Sequence, residues 1–330
     1  MSELRVLTGI TTSGTPHLGN YVGAVRPAVR ASLAPGVQSF YFLADYHALI
    51  KVGEPERIQQ STLEIAATWL AAGLDPQRVT FYRQSDIPEI PELTWFLTCV
   101  CGKGLLNRAH AYKAAVQANE DAGEDADFAI TMGLFSYPVL MAADILMFNA
   151  HQIPVGRDQI QHVEMARDVA QRFNHHFGEH FVLPKALVDD KVAVLQGLDG
   201  RKMSKSYGNT IPLSATDEEI TKAVMSIATD SRGKDEEKNP DDMVLYQIHK
   251  LFNNSIELKN SYTKGLGYGE AKKMLIADII SFVTPMRERR KKYEDDPKLV
   301  EEILLQGAIK ANEVAMKKLQ AVYEAVGLTS

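Results

Sequence analysis

"LRVLTGITTSGTPHLGNYVG", residues 4–23, decides the fold. The run "LRVLTGI" is short and mostly apolar and ends in small polar residues, which reads as a buried strand. Glycines and small hydroxyl residues follow, and a helix is expected to begin near Leu18. Such a step leaves the first N–H groups of the helix and the positive end of its dipole facing the loop, where phosphates bind well. Neither the dinucleotide fingerprint G-x-G-x-x-G nor the Walker pattern G-x-x-x-x-G-K is present, so the step is a general nucleotide-site element that many tight turns resemble. His17 is its sharpest residue. In a phosphate site a ring N–H can donate to developing negative charge without full proton transfer, and Asn20 can donate likewise.

The alternation continues outward. "QSFYFLADYHALI" contains a second strand, and from Glu56 to Ala72 the residues Ile58, Leu63, Ile65, Ala66 and Leu70 fall near helical spacing. Gly73 and Pro76 stop that helix. "RVTFYRQS" reads as a third strand and "HQIPVG" as a short fourth, followed by the helix of "RDQIQHVEMARDVAQRF". Strands separated by helices imply βαβ units and a parallel sheet. Later the texture turns helical: Thr216 and Glu219 form a capping-box pair, "RGKDEEKNPDD" is a polar connection, and "GEAKKMLIADIISFV" and "PKLVEEILLQGAIKANEVAMKKLQAVYEAV" read as long amphipathic helices. The expected layout is an α/β sheet domain over residues 1–213 and a helical domain over 214–330.

With 330 residues, 45% apolar and 24% charged, the chain is long enough for two domains and has the composition of a soluble globular protein. No apolar run is long enough to cross a bilayer, and the start lacks a secretory pattern. Cys99 and Cys101 are too few for a disulfide framework or a structural zinc site and read as helix-face thiols, which fits a reducing cytoplasm. The net charge of −6 argues against a generally basic nucleic-acid binder, although "MRERRKKY" at 286–293 offers a local basic face.

Between the two regions lies "GLDGRKMSKSYGN", residues 197–209. Arg201, Lys202 and Lys205 stand beside Ser204 and Ser206, between glycines and without an evident apolar anchor. This is either a solvated turn or a mobile clamp for a polyanion that appears during a reaction.

"PHLGN" at 16–20 and "KMSKS" at 202–206 together resemble the two signatures of class I aminoacyl-tRNA synthetases, the first departing from H-I-G-H at Leu18 and Asn20. "YPVLMAADIL", "IPVGRDQIQHVEMARDVAQRFN" and "GYGEAKK" narrow the resemblance to the bacterial-type tryptophanyl-tRNA synthetases, collinear from about Leu7 to Gly327. The resemblance implies a Rossmann-like parallel-sheet catalytic domain, then a helical domain that contacts the tRNA anticodon, with the last helix packing back on the first domain. It also implies a cytoplasmic homodimer with no membrane attachment, acting on L-tryptophan, ATP with Mg²⁺, and tRNA(Trp). The magnesium would travel with ATP, and no protein-held metal is expected.

Residue roles follow from the same resemblance. Lys202 and Lys205 would neutralise the departing pyrophosphate, with Ser204 and Ser206 supplying hydrogen bonds and His17 and Lys113 as further catalytic contacts. Thr11, Thr12, Ser13, Gly19 and Asn20 would line ATP on one wall and Gly156, Arg157 and Asp158 on the other, with Val194 at the adenine and Met203 as a further ATP contact. Asp144 would read the indole N–H, since a carboxylate is an acceptor only. A phenol O–H could donate to it as well, so residue type alone leaves tyrosine open. Met141, Ile145, Ile153 and Val155 would pack the indole, Tyr137 and Gln159 match positions that hold the α-ammonium, and His47 matches another pocket position.

Departures from the family pattern are Thr11–Thr12 for Gln-Pro, Leu7 for an aromatic, Tyr46 for glutamine, Ala115 for a second lysine, and Arg157 for an acidic residue. Two alternatives stay open at this point: a tyrosine-activating or related adenylate-forming enzyme of the same fold, and a non-catalytic paralogue that binds tryptophan or RNA.

Overall fold

The structure is a computed structural model that describes residues 4–12, 16–51, 54–188, 195–204, 207–229 and 239–328. Strand β1 (Leu4–Thr11) leads to a helical stretch of α1 (Leu18–Asn20), a π turn (Tyr21–Val25) and α2 (Arg26–Ser32). Then come β2 (Val37–Ala44), α3 (Asp45–Ala48), α4 (Pro55–Ala71) and β3 (Val79–Arg83). Helices α5 (Glu89–Val100), α6 (Lys103–Leu106), α7 (His110–Asp121) and α8 (Met132–Met147) precede β4 (Gln152–Pro154), α9 (Ile160–Phe177) and β5 (Lys185–Leu187). The remainder is helical: α10 (Asp217–Met225), α11 (Val244–His249), α12 (Ile256–Thr263), α13 (Tyr268–Asp295) and α14 (Pro297–Ala325).

Among the described residues, five parallel strands form one sheet in the order β3-β2-β1-β4-β5, that of a Rossmann-like sheet. The strand periodicity of two sorts side chains between its faces. Phe40, Phe42, Tyr82 and Ile153 join one core with α5, α8 and α9, whereas Tyr41, Leu43, Val79 and Phe81 join another with α2, α4 and α13. Sequence reasoning missed β5, whose three residues "KAL" carry too little alternation to register. Cys99 is an exposed residue of α5, but Cys101 follows that helix as its C-cap, so only the first is a helix-face thiol.

Helix α14 lies against β3 at the sheet edge through small residues. A Cβ on Gly307 would overlap the Phe81 backbone carbonyl, and Ala308, Ala311 and Ala315 are buried beside it. Asn312 Nδ2 donates to Asp86 O at 3.1 Å, and Arg83 forks onto Glu301 at 3.3 and 2.5 Å. An edge strand is a pairing hazard, and this helix covers it.

The basic stretch 286–293 corrects its sequence reading. Met286 is buried, Arg287 donates to Ala215 O (3.0 Å) and Asp217 (2.5 Å), Arg289 donates to Ala71 O at the end of α4 (2.7 Å), and Arg290 is buried beside Glu294. Arg287 and Arg289 tie α13 to α10 and α4, Arg290 pairs within α13, and Arg289, Lys291 and Lys292 are the exposed cations of the stretch. Lys272 of "GYGEAKK" is likewise internal: its Nζ donates to Met225 O and Ile227 O, both at 2.8 Å, capping α10.

Candidate active site

Strand β1 is the switch point of the sheet, since the chain builds toward β2 and β3 on one side and lies beside β4 and β5 on the other. In such sheets ligands bind outside the carboxyl ends of the strands at that point. Thr11 and Thr12 end β1; Val155, Gly156, Arg157, Asp158 and Gln159 follow β4. The two predicted ATP walls therefore flank one crevice. Thr12 is buried, its carbonyl accepting Ser61 Oγ of α4 at 2.6 Å.

The first signature turn is built from both ends of the sheet domain. Asn20 Oδ1 accepts the backbone N–H of His17 at 3.0 Å, closing the start of the helix. Leu18 N donates to Ile211 O (2.8 Å) and Leu213 N to Pro16 O (3.1 Å). The chain just after the second signature is thus paired with the first. His17 is mostly buried, and Gly19 is closely approached: a Cβ there would sit 3.0 Å from the His17 ring and 3.4 Å from Met203 Sδ.

The second signature rises as a small hairpin. Gly197 N donates to Arg201 O (2.7 Å), Met203 N to Leu195 O (2.8 Å), and Gln196 bridges Lys202. Buried Asn209 closes it: its Oδ1 accepts Ser204 N–H at 2.8 Å, and its Nδ2 reaches Asp199 Oδ1 (2.6 Å) and Lys202 O (3.2 Å). The loop does have an apolar anchor, contrary to the sequence reading, because Met203 is buried with Leu18, Leu195 and Ile211. The Met203 side chain is therefore part of the core, and its backbone N–H is taken by Leu195 O. Lys202 is exposed, as are Lys113 on α7 and Arg157. Ser13, Val194, Lys205 and Ser206 lie outside the described residues.

The predicted amino-acid site forms on the face carrying α8. Asp144 is 0% exposed, which removes the reading of a surface helix residue. Gln84 Nε2 donates to its Oδ1 at 2.8 Å and His47 Nε2 to its Oδ2 at 3.0 Å. Burial raises the Asp144 pKa, opposed by the hydrogen bonds from His47 and Gln84. Gln84 is itself held, its Oε1 accepting Tyr46 N–H at 3.1 Å. Ile145 and Ile153 are buried in the core on this face, and Met141 and Val155 pack against the same core half-buried. One turn along, Tyr137 Oη lies 2.6 Å from His162 Nε2, His162 Nδ1 lies 2.8 Å from Gln159 Oε1, and Gln159 Nε2 donates to Asp158 Oδ2 at 2.9 Å.

Sequence reasoning gives no role to Gln84, His162 or Asn209. Position supplied a signal for two of them. Gln84 directly follows β3 at the ligand-binding end of the sheet, and His162 stands three residues after Gln159 on one helix face. Asn209 carries no such mark.

The profile of the family described as tRNA synthetases class I (W and Y) matches residues 1–284. The chain belongs to this family. A tryptophan–tRNA ligase of Pseudomonas putida is 60% identical over 332 residues, covering 99% of this synthetase and 74% of that protein. One from Neisseria meningitidis is 59% identical and covers 99% of both. The crystal structure of the Campylobacter jejuni tryptophanyl-tRNA synthetase, complexed with ADP and tryptophan, superposes with a TM-score of 0.89 at 42% identity, covering 98% of this synthetase and 100% of that chain. Among the described residues no helix is long and apolar enough to cross a membrane.

Proposed function

We infer that this synthetase is a tryptophan–tRNA ligase. A carboxylate oxygen of L-tryptophan attacks the α-phosphorus of MgATP; the bond to the β-phosphate breaks and pyrophosphate leaves. A terminal hydroxyl of tRNA(Trp) then attacks the acyl carbon, and AMP departs. Negative charge gathers on phosphoryl oxygens, so the protein's work is positioning and charge stabilisation. His17 and Asn20 stand at one side of the crevice, Gly156 to Asp158 at the other, and Lys202 and Lys205 meet the leaving pyrophosphate. The observation that carries the reading is the pairing of residues 16–18 with 211–213, which holds the bases of the two signatures together.

Tryptophan is favoured over tyrosine by the names of the relatives near 60% identity. Exchange of labelled pyrophosphate into ATP tests the choice: tryptophan should stimulate it and tyrosine should not. Stimulation by tyrosine alone would move the chain to the sibling activity, and tryptophan binding with neither exchange nor tRNA charging would make it a sensor. Asp144→Asn places an amide N–H against either the His47 or the Gln84 donor. It is expected to lower kcat/KM for tryptophan about thirtyfold, the cost of one lost hydrogen bond to a buried charged group.

We also infer that the working form is a symmetric dimer in the cytoplasm. Trp95 on α5 is 67% exposed and Met132 at the start of α8 is 72% exposed, with exposed Phe128 just before it. Large apolar groups of this kind mark interfaces. Light scattering should give the mass of two chains, and Trp95→Asp should shift it toward one; an unchanged mass would place the interface elsewhere.

A further inference from the structure

The polar groups between the two substrate walls form a chain with one direction. It starts at Asp158, whose carboxylate only accepts, so the Gln159 amide turns its NH₂ to Asp158 and its oxygen to His162. An amide oxygen also only accepts, so Nδ1 of His162 carries the proton. Nε2 of the neutral ring is then an acceptor, and the Tyr137 hydroxyl at 2.6 Å must donate to it. Both oxygens keep lone pairs: Tyr137 Oη because its hydrogen is committed, and Gln159 Oε1 because it accepts once from the ring. An amino acid's ammonium carries three donors and needs such acceptors.

We propose that His162 is a positioning residue that aims the oxygens of Tyr137 and Gln159, the two residues that the resemblance sets at the α-ammonium of tryptophan, so that both face it as acceptors. The inference rests on the ligase reading and deepens it. His162 is buried, and burial lowers its pKa. His110 of α7 lowers it further, Asp158 opposes, and His47 after β2 lowers it again; Tyr137 of α8 is the remaining titratable neighbour. The ring is therefore neutral at neutral pH. Protonated, it would donate from both nitrogens. The Tyr137 hydroxyl would then turn its hydrogen outward, toward the ammonium, and tryptophan would bind less well.

The test is tryptophan-dependent pyrophosphate exchange with the full chain, in wild type, His162→Phe, His162→Gln, Tyr137→Phe and the double variant with His162→Phe, each with a melting curve. His162→Phe should raise KM for tryptophan about ten- to a hundredfold, as for hydrogen bonds to a charged group, and leave KM for ATP within about twofold. His162→Gln can accept from Tyr137 and should restore most of the loss. In the double variant the two effects should not add, because one acts through the other. For wild type, KM for tryptophan should rise as pH falls below the ordinary histidine range, and His162→Gln should flatten that rise. Additive losses, an unchanged KM in folded His162→Phe, or an undiminished acid rise in His162→Gln would each overturn the proposal. If His162→Phe does not fold, the wild-type and His162→Gln pH profiles decide it. Absence of exchange in the wild type would instead remove the ligase reading itself.

Discussion

Lys202→Ala is expected to slow pyrophosphate exchange about a hundred- to a thousandfold, while tryptophan binding by calorimetry stays within about twofold. The lysine sits on a hairpin whose backbone is fixed from below: Asn209 Nδ2 holds its carbonyl and Met203 anchors the next residue in the core. Its ammonium is exposed, so the substitution removes charge without opening a cavity. Extra charge develops on the leaving pyrophosphate only as its bond to the α-phosphorus breaks, and tryptophan carries none of it, which is why the loss should fall on turnover and spare tryptophan affinity. Lys205→Ala should act in the same direction. Unchanged turnover in both variants would leave the loop a solvated turn.

Gly307→Leu is expected to destabilise the fold by about 3 kcal/mol, read as a shifted urea midpoint with unchanged slope. The reason is backbone against side chain. The first atom added at residue 307 would overlap the Phe81 carbonyl, and a strand in the middle of its hydrogen-bonding ladder cannot step aside as a flexible side chain could. Helix α14 would have to lift from β3, undoing the Arg83–Glu301 fork and the Asn312 contact together. Gly307→Ala already introduces the offending atom, so it should lose most of the same stability. A midpoint within error of wild type would mean that α14 does not depend on this approach.

Much of the fold is legible in residue order, because apolar periodicity reports burial. β1, β2, β3 and α4 could be drawn from "LRVLTGI", "QSFYFLA", "RVTFY" and the spacing of Ile58, Ile65 and Leu70. The capping box at Thr216 and Glu219 is present, with hydrogen bonds of 2.8 and 3.2 Å. The two signatures were legible as strings, and the bonds between residues 16–18 and 211–213, with Met203 packed beside Leu18, bring their bases together. What stayed hidden was polar wiring across distance. Gln84 and Asp144 are 60 residues apart, and nothing local to either names the other. The helix-tying bonds of Arg287 and Arg289 were hidden because charge in sequence says nothing about which carbonyls will accept it.

The bonds between residues 16–18 and 211–213 also set an order of assembly. As the chain leaves the ribosome, β1 and its turn come out early, but the partners of Leu18 and Pro16 follow nearly two hundred residues later. Closing so long a span is entropically costly and slow to be rewarded. The first signature therefore waits for Leu213, and a nascent chain halted before that residue holds the signature without the floor on which it rests.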